Sequence, residues 1–222
     1  MPLTVLSSIR NWVIKMNSFE SDLKRAFFSV NFMAGLLMEF IILRYAGYES
    51  ELFQISVPVL AAFPYSTAWL NEYQSGFIKE YLPRCGINSY IWGKFLACGI
   101  SGGTLLTGIC FICSWVEQWE TTGNYLLIFL SGMFWAVVSA TLAAAANSRY
   151  VAYGGAFVLF YVLVILVERY FKGLYCLYPV EWYLAKHVWV LGDTGIVIML
   201  TGLIVIIGII YYTLLKKKIT EL

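Results

Sequence analysis

Residues 121–148 read Thr-Thr-Gly-Asn-Tyr-Leu-Leu-Ile-Phe-Leu-Ser-Gly-Met-Phe-Trp-Ala-Val-Val-Ser-Ala-Thr-Leu-Ala-Ala-Ala-Ala-Asn-Ser, 28 positions without one Asp, Glu, Lys or Arg. A helix crosses the hydrocarbon core of a bilayer with about 20 mainly apolar residues, so this run alone is long enough. No water is present at that depth to bond a free N–H or carbonyl, and a helix satisfies both within one segment. On either side the pattern repeats. Residues 52–71, 95–116, 150–167 and 194–215 are also free of charge, over 20, 22, 18 and 22 residues, and 26–43 is interrupted only by Glu39. Spans are expected near 26–45, 52–70, 90–115, 125–146, 150–168 and 195–215. The expected fold is an all-α polytopic membrane protein of six transmembrane helices in a single domain over 1–222.

Composition agrees. Of the 222 residues, 60% are apolar and only 13% are charged, against about a quarter in an ordinary soluble domain. The chain lacks the charge to coat a water-soluble globule. Its net charge of +2 and the lack of a basic stripe interleaved with aromatics exclude nucleic acid as a partner. One histidine, His187, and five scattered cysteines form no recognisable metal framework. Cys110-Phe-Ile-Cys113 has a redox spacing, but inside a span these read as small packing residues. An odd cysteine count also argues against a disulfide scaffold. Residues 1–25 lack the apolar core and cleavage site of a signal peptide. Leu6, Ile9, Val13, Met16 and Leu23 recur at helical spacing, which fits either an amphipathic interfacial helix or a short helix packed against the ends of the spans.

Charge asymmetry orients the spans. With the N-terminus inside, the cytoplasmic segments hold Arg10, Lys15, Lys24, Arg25, Lys79, Arg84, Lys94, Arg149 and Lys216-Lys217-Lys218; the outer segments and borders hold Arg44, Arg169, Lys172 and Lys186. Eleven against four places both termini in the cytoplasm. The triple lysine then reads as an anchor on anionic lipid headgroups. The short outer connections 46–51 and 116–124 are acidic, with Glu49, Glu51, Glu117 and Glu120.

The cytoplasmic connection 71–89 is the most informative. Tyr73–Tyr81 is expected to form a short helix that Pro83 and Gly86 break, with Asn88 or Ser89 capping the next. Its Phe77, Tyr81 and charges either dock on a soluble partner or serve an ordinary amphipathic connector. In this segment the chain resembles the membrane subunits of type-2 ABC exporters, among them the small six-span permeases of peptide and bacteriocin export. The features in common are Glu72, Ser75-Gly76, Leu82-Pro83-Arg84, Tyr90 and Gly93-Lys94, together with the wider plan of six spans, an N-terminal amphipathic helix and a long outer segment before the last span.

The resemblance implies that 71–89 holds a coupling helix seated on a cytoplasmic ATPase subunit, with Glu72, Gly76, Phe77, Glu80, Tyr81 and Arg84 at or near the contact. Glu72 and Arg84 would offer charges for pairing across that joint, and Gly93-Lys94 would combine close helix packing with a snorkelling anchor. Arg84 could equally meet a headgroup phosphate, and Gly76 could simply end a helix. No Gly-x-x-x-x-Gly-Lys-Ser/Thr is present, so the chain needs no cofactor of its own and ATP with Mg would be handled by the partner ATPase. Six spans make half of the usual membrane domain, which requires a second six-span subunit, identical or paralogous. Gly99 and Gly103, and Ser139, Ala143 and Asn147, are small-residue pairs suited to packing within one subunit or between two.

Glu39 is the one acid inside a span. Inserting an ionised carboxylate there costs about 2.5–3.5 kcal/mol, so it is expected to face protein or water. Its candidate roles are contact with a cationic substrate, a subunit-interface hydrogen bond, or a structural pair. Asn31 reads as a helix–helix hydrogen bond. The outer segment 169–194 holds Tyr170, Phe171, Tyr175, Tyr178, Trp182, Tyr183 and Trp189. That density predicts an external re-entrant helical hairpin, its second helix beginning at Pro179, with His187 as an interfacial hydrogen-bonding residue. The expected function is outward movement of amphipathic peptides or similar apolar cargo across a bacterial cell membrane. A secondary transporter or channel is the alternative. An intramembrane enzyme is disfavoured because the sole histidine has no nucleophile or metal-ligand motif beside it.

Overall fold

Four of the uncharged runs fold as the long helices their length demands. A computed structural model describes residues 19–117, 124–171, 173–187, 189 and 191–221. In it α6 covers Ile87–Glu117, α7 Tyr125–Ala146, α8 Arg149–Arg169 and α10 Asp193–Thr220, and each is long and apolar enough to cross a membrane. A fifth candidate is a bent pair, α1 (Phe19–Phe27) and α2 (Val30–Ala46), set at 48°. Ser29 makes that bend. Its backbone is extended, its hydroxyl accepts from the Phe32 N–H at 3.0 Å, and it donates to the Ala26 carbonyl at 2.8 Å, closing one helix and capping the next. The chain is an all-helical protein with four to five helices able to span a bilayer, and no strand occurs among the described residues.

The expected continuous span over 52–70 is interrupted. α3 (Glu51–Ala62) has 12 residues, about 18 Å of helix. Turns at 63–67 separate it from α4 (Ala68–Gln74). Pro64 has no N–H to continue the helix, and the Ala68 N–H bonds back to the Tyr65 carbonyl as the new helix starts. The chain still travels from one end of the bundle to the other. Glu51 lies beside Glu168 at the end of α8, and Gln74 accepts from Arg149 at its start. These are called the acidic end (Glu49, Glu51, Glu168, Glu181, Asp193) and the basic end (Lys94, Arg149, Lys216–Lys218).

α7 is the axis of the packing. Of its spanning window 72% is buried, against 22% for α8 and 28% for α10. The uncovered faces of α2, α8 and α10 are apolar, with Leu37, Val162 and Ile209 each 43% exposed or more. An apolar exterior of that extent suits lipid rather than water. Glycine lets the inner helices touch. A Cβ on Gly102 of α6 would lie 2.7 Å from the Ala61 carbonyl oxygen of α3, and one on Gly132 of α7 would lie 2.9 Å from the Gly102 carbonyl. Gly99 and Gly103 meet Met133 and Phe129 of α7, so this small-residue pair packs within the chain. Ser139 and Ala143 are buried as well, whereas Asn147 is the exposed C-cap of α7 at φ 52°.

The segment after α8 is less helical than its aromatics suggest. It contains a 3-10 turn at Tyr175–Leu177 and the four-residue α9 (Glu181–Leu184), which follows Pro179. Trp182 stacks on Trp135 with centroids 5.9 Å apart and meets Phe134 edge-on at 5.1 Å, while its indole donates to the Cys176 carbonyl. Tyr183 packs edge-on against Tyr48 and Phe53, whereas Tyr170, Phe171 and Tyr175 stay exposed. Residues 1–18 of the expected interfacial helix, Glu120 and Lys172 lie outside the described residues.

Candidate functional site

At the basic end a short helix is suspended between two crossing elements. α4 stops at Gln74, and Gly76 turns the chain at φ +75°, a conformation in which a Cβ is strained. α5 then runs Phe77–Cys85. The break therefore falls at Gly76, inside the stretch 73–81 expected to be one helix, and Pro83 is carried within α5. Gly86, at φ +75°, ends α5 and α6 starts at Ile87. Asn88 is not a cap: its Oδ1 accepts from the Tyr212 hydroxyl at 2.9 Å.

α5 is two-faced. Ile78 is buried, and Tyr81, Leu82 and Cys85 are half-buried on the same side at spacings of three, four and seven. Lys79, Glu80, Pro83 and Phe77 are exposed. Phe77 stacks on Tyr81 at 5.5 Å, and Tyr81 meets Tyr90 edge-on at 5.9 Å. Arg84 lies in α5, its side chain outside the described residues. Burial, and the nearby Asp22 carboxylate, hold the Cys85 thiol above its usual range, which keeps it a poor nucleophile.

The root of this helix is clamped by a buried charge network. Lys94 of α6 is 2% exposed, so it does not snorkel. Its ammonium donates to Asp22 of α1 at 2.8 Å, to Glu72 of α4 at 2.6 Å and to the Tyr65 hydroxyl at 2.9 Å. All three ammonium protons are thereby used. The Tyr65 hydroxyl donates in turn to Asp22 at 2.8 Å, and Tyr90 donates to the second Glu72 oxygen at 2.7 Å. Arg25 approaches Glu72 at 3.4 Å. Two cations and two carboxylates close the balance, as a low-dielectric site requires. Glu72 is therefore committed within the chain, where a contact across a joint was expected to use it. The network ties α1, the 63–67 break, α4 and α6 at one point. The two bends also touch there, with the Ser29 hydroxyl 3.5 Å from the Pro64 carbonyl.

Asp22 and Tyr65 are the residues that sequence reasoning missed, and Lys94, expected to snorkel, is buried instead. Tyr90 and Lys94 stand four apart and share one face of α6, the only local signal. Their acids come from 72 and 22 positions away. Phenylalanine at Tyr90 should lower the thermal midpoint in detergent, by the loss of a charged hydrogen bond worth about 1.5–3 kcal/mol. Tyr73→Phe is the matched control, because that ring only stacks on Trp69. Equal midpoints for the two variants would mean that the Tyr90–Glu72 bond contributes nothing.

Other expected sites lie elsewhere. Glu39 is fully buried on α2, with the Cys110 thiol of α6 3.9 Å from Oε1 and no hydrogen-bond partner for Oε2 among the described residues. That arrangement is intramolecular, far in sequence from the α5 hub. His187 holds the buried Glu181 through Nδ1 at 2.8 Å, and its backbone N–H bonds the other oxygen at 3.0 Å. Of the triple lysine, Lys218 turns inward. Its ammonium meets the Ala144 carbonyl and Asn147 Oδ1, at the negative end of α7. Among the described residues no three His, Cys, Asp or Glu side chains converge to hold a metal. No family model, curated protein or solved structure matches this chain.

Proposed function

We propose that this chain is the permease subunit of an ATP-driven exporter of the type-2 ABC class. In this reading it is bacterial, with both termini cytoplasmic, and it moves amphipathic peptides or similar apolar cargo outward. The observation that carries the reading is α5: a two-faced helix at the basic end, its charged face uncovered, its base joined to α1 and α6 through Glu72 and Lys94. Taken as spans, α2, the α3–α4 pair, α6, α7, α8 and α10 make six crossings. A soluble ATPase would seat on Lys79, Glu80 and Phe77, and a second six-span subunit would complete the path. Closure of the ATPase on ATP would push α5, and the charge network would pass that displacement to the two bent elements.

The test is co-purification of ATPase activity with the tagged chain from its native membranes. Exchanging the exposed charges, Lys79→Glu with Glu80→Lys, should remove at least nine-tenths of the associated activity while leaving the thermal midpoint unchanged. Retention of full activity by that variant would overturn the coupling assignment. A gradient-driven transporter is the second reading, favoured by the buried carboxylate of Glu39. Uphill transport in sealed vesicles under an ion gradient, without ATP, would select it instead.

A further inference from the structure

The inward face of α2 buries Phe32, Gly35, Glu39 and Leu43, at helical spacings of three and four. Three of these suit a helix contact in an apolar medium, and Glu39 does not. Its carboxyl is fully buried, about 12 Å of helix from Gly47 at the acidic end. The Cys110 thiol donates to Oε1 at 3.9 Å, and Oε2 has no hydrogen-bond partner among the described residues. Glu39 forms no ion pair among them either. An ionised carboxylate in that setting would lose its hydration with no cation in exchange. The neutral acid gives up hydrogen bonds only, which is the smaller cost.

The two sides of the carboxyl differ. Toward the basic end the packing is apolar and tight. One turn below Glu39, a Cβ on Gly35 would fall 2.6 Å from Leu105 Cδ1, and Leu105, Leu106 and Ile109 of α6 are buried. Toward the acidic end the neighbours are polar. From α6 they are Cys110 and the buried Cys113; α3 holds only Glu51, exposed in its first turn. Cys110 is also close enough to act electrostatically on the phenols of Tyr48, just past α2, and Tyr183 of α9. The Tyr48 hydroxyl donates to the Tyr183 carbonyl at 3.1 Å, whereas the buried Tyr183 hydroxyl has no partner among the described residues. Burial pushes both phenols up, so each remains a hydroxyl that can donate and accept. Cys110 is thus the shared neighbour of two buried polar groups, each with unused bonding capacity, on the side of the short α9. We infer that Glu39 is a proton-binding site, a neutral carboxylic acid at rest that exchanges its proton with the acidic end past Cys110 and Tyr183.

The test is infrared spectroscopy of the full chain in dodecyl maltoside, a detergent with no carbonyl of its own. At neutral pH the wild type should show the carbonyl stretch of a protonated carboxyl, and that band should shift on rapid mixing with deuterium oxide. Glu39→Gln should remove the band. Glu39→Asp, which keeps an acid at the site, should displace the band without removing it, and serves where the Gln variant folds poorly. Tyr183→Phe deletes an unbonded hydroxyl, so its thermal midpoint should stay while exchange of the band slows at least tenfold. A purely structural Glu39–Cys110 contact would not give that response. A wild type without the band overturns the proposal with no variant needed, and so does a band untouched by both changes at Glu39. Exchange as fast in Tyr183→Phe as in the wild type would overturn the route past Tyr183. The site rests on neither reading of function: its failure would withdraw Glu39 from the gradient-driven reading and leave the exporter reading as it stands.

Discussion

Alanine at Lys94 should cost this protein about 3–5 kcal/mol of stability, the range for removing one partner of a buried ion pair. The expected size follows from what stays behind. Asp22 and Lys94 side chains are each 2% exposed and that of Glu72 is 14% exposed. Without the ammonium, two carboxylates share one site that water scarcely reaches, and only the half-exposed Arg25 remains to balance them. Repulsion between the pair adds to the desolvation of each. A charge-neutral replacement, Asp22→Asn with Glu72→Gln and Lys94→Met, should recover most of the loss, since a buried pair exchanged for uncharged groups of similar volume is often close to neutral. Thermal unfolding in a mild detergent at neutral pH checks both variants. A single variant as stable as the wild type would show that Lys94 is not the hub, and a triple variant no better than the single would assign the loss to packing around the lysine stem.

The same residue marks the boundary of what the sequence made legible. A run of uncharged residues dictates a spanning helix because the solvent, rather than any partner, sets the rule. Hence α6, α7, α8 and α10 were readable from charge spacing alone. The break at 63–67 was not, although Pro58 and Pro64 were in plain view. Pro58 is carried inside α3, whereas the helix stops at Ala62, two residues before Pro64. The outer aromatics led to a hairpin of two helices, whereas the segment holds a 3-10 turn and the four-residue α9, from which Trp182 stacks on Trp135 of α7.

At the candidate site, exposed and buried charges look alike in a sequence. Glu72 and Glu80 are eight residues apart in the same connection, yet one is held inside by Lys94 and Tyr90 and the other faces out. Lys94 resembled a snorkelling lysine for the same reason: its counterions come from α1 and α4, outside any local window. Asp22 carried no signal at all, since it stands beside Leu23 of the expected apolar stripe rather than on it, and its partner Lys94 is 72 positions away.

Gly102 should be the least replaceable glycine of the bundle, and the proof is a comparison within one helix. Alanine adds the same methyl group at Gly102 and at Gly108, six residues further along α6. At Gly108 the new Cβ meets nothing within 4 Å. Helix propensity then acts alone, and the substitution should stabilise by about 0.5–1 kcal/mol. At Gly102 the methyl would sit 2.7 Å from the Ala61 carbonyl oxygen and 3.3 Å from that of Gly132. Both are backbone atoms of packed helices, with no rotamer to yield, so α3 or α7 must move away from α6. Overpacking of that kind costs about 1–3 kcal/mol, which reverses the sign of the propensity gain. Because α3 leads directly into the break and the Lys94 network, the displacement should also reach the basic end. Cys85 reports it. The thiol is half-buried beside that network, and its maleimide labelling rate should rise in Gly102→Ala while Gly108→Ala labels like the wild type. Equal melting and equal labelling in the two variants would mean that the three-helix contact at Gly102 does not hold α3 in place.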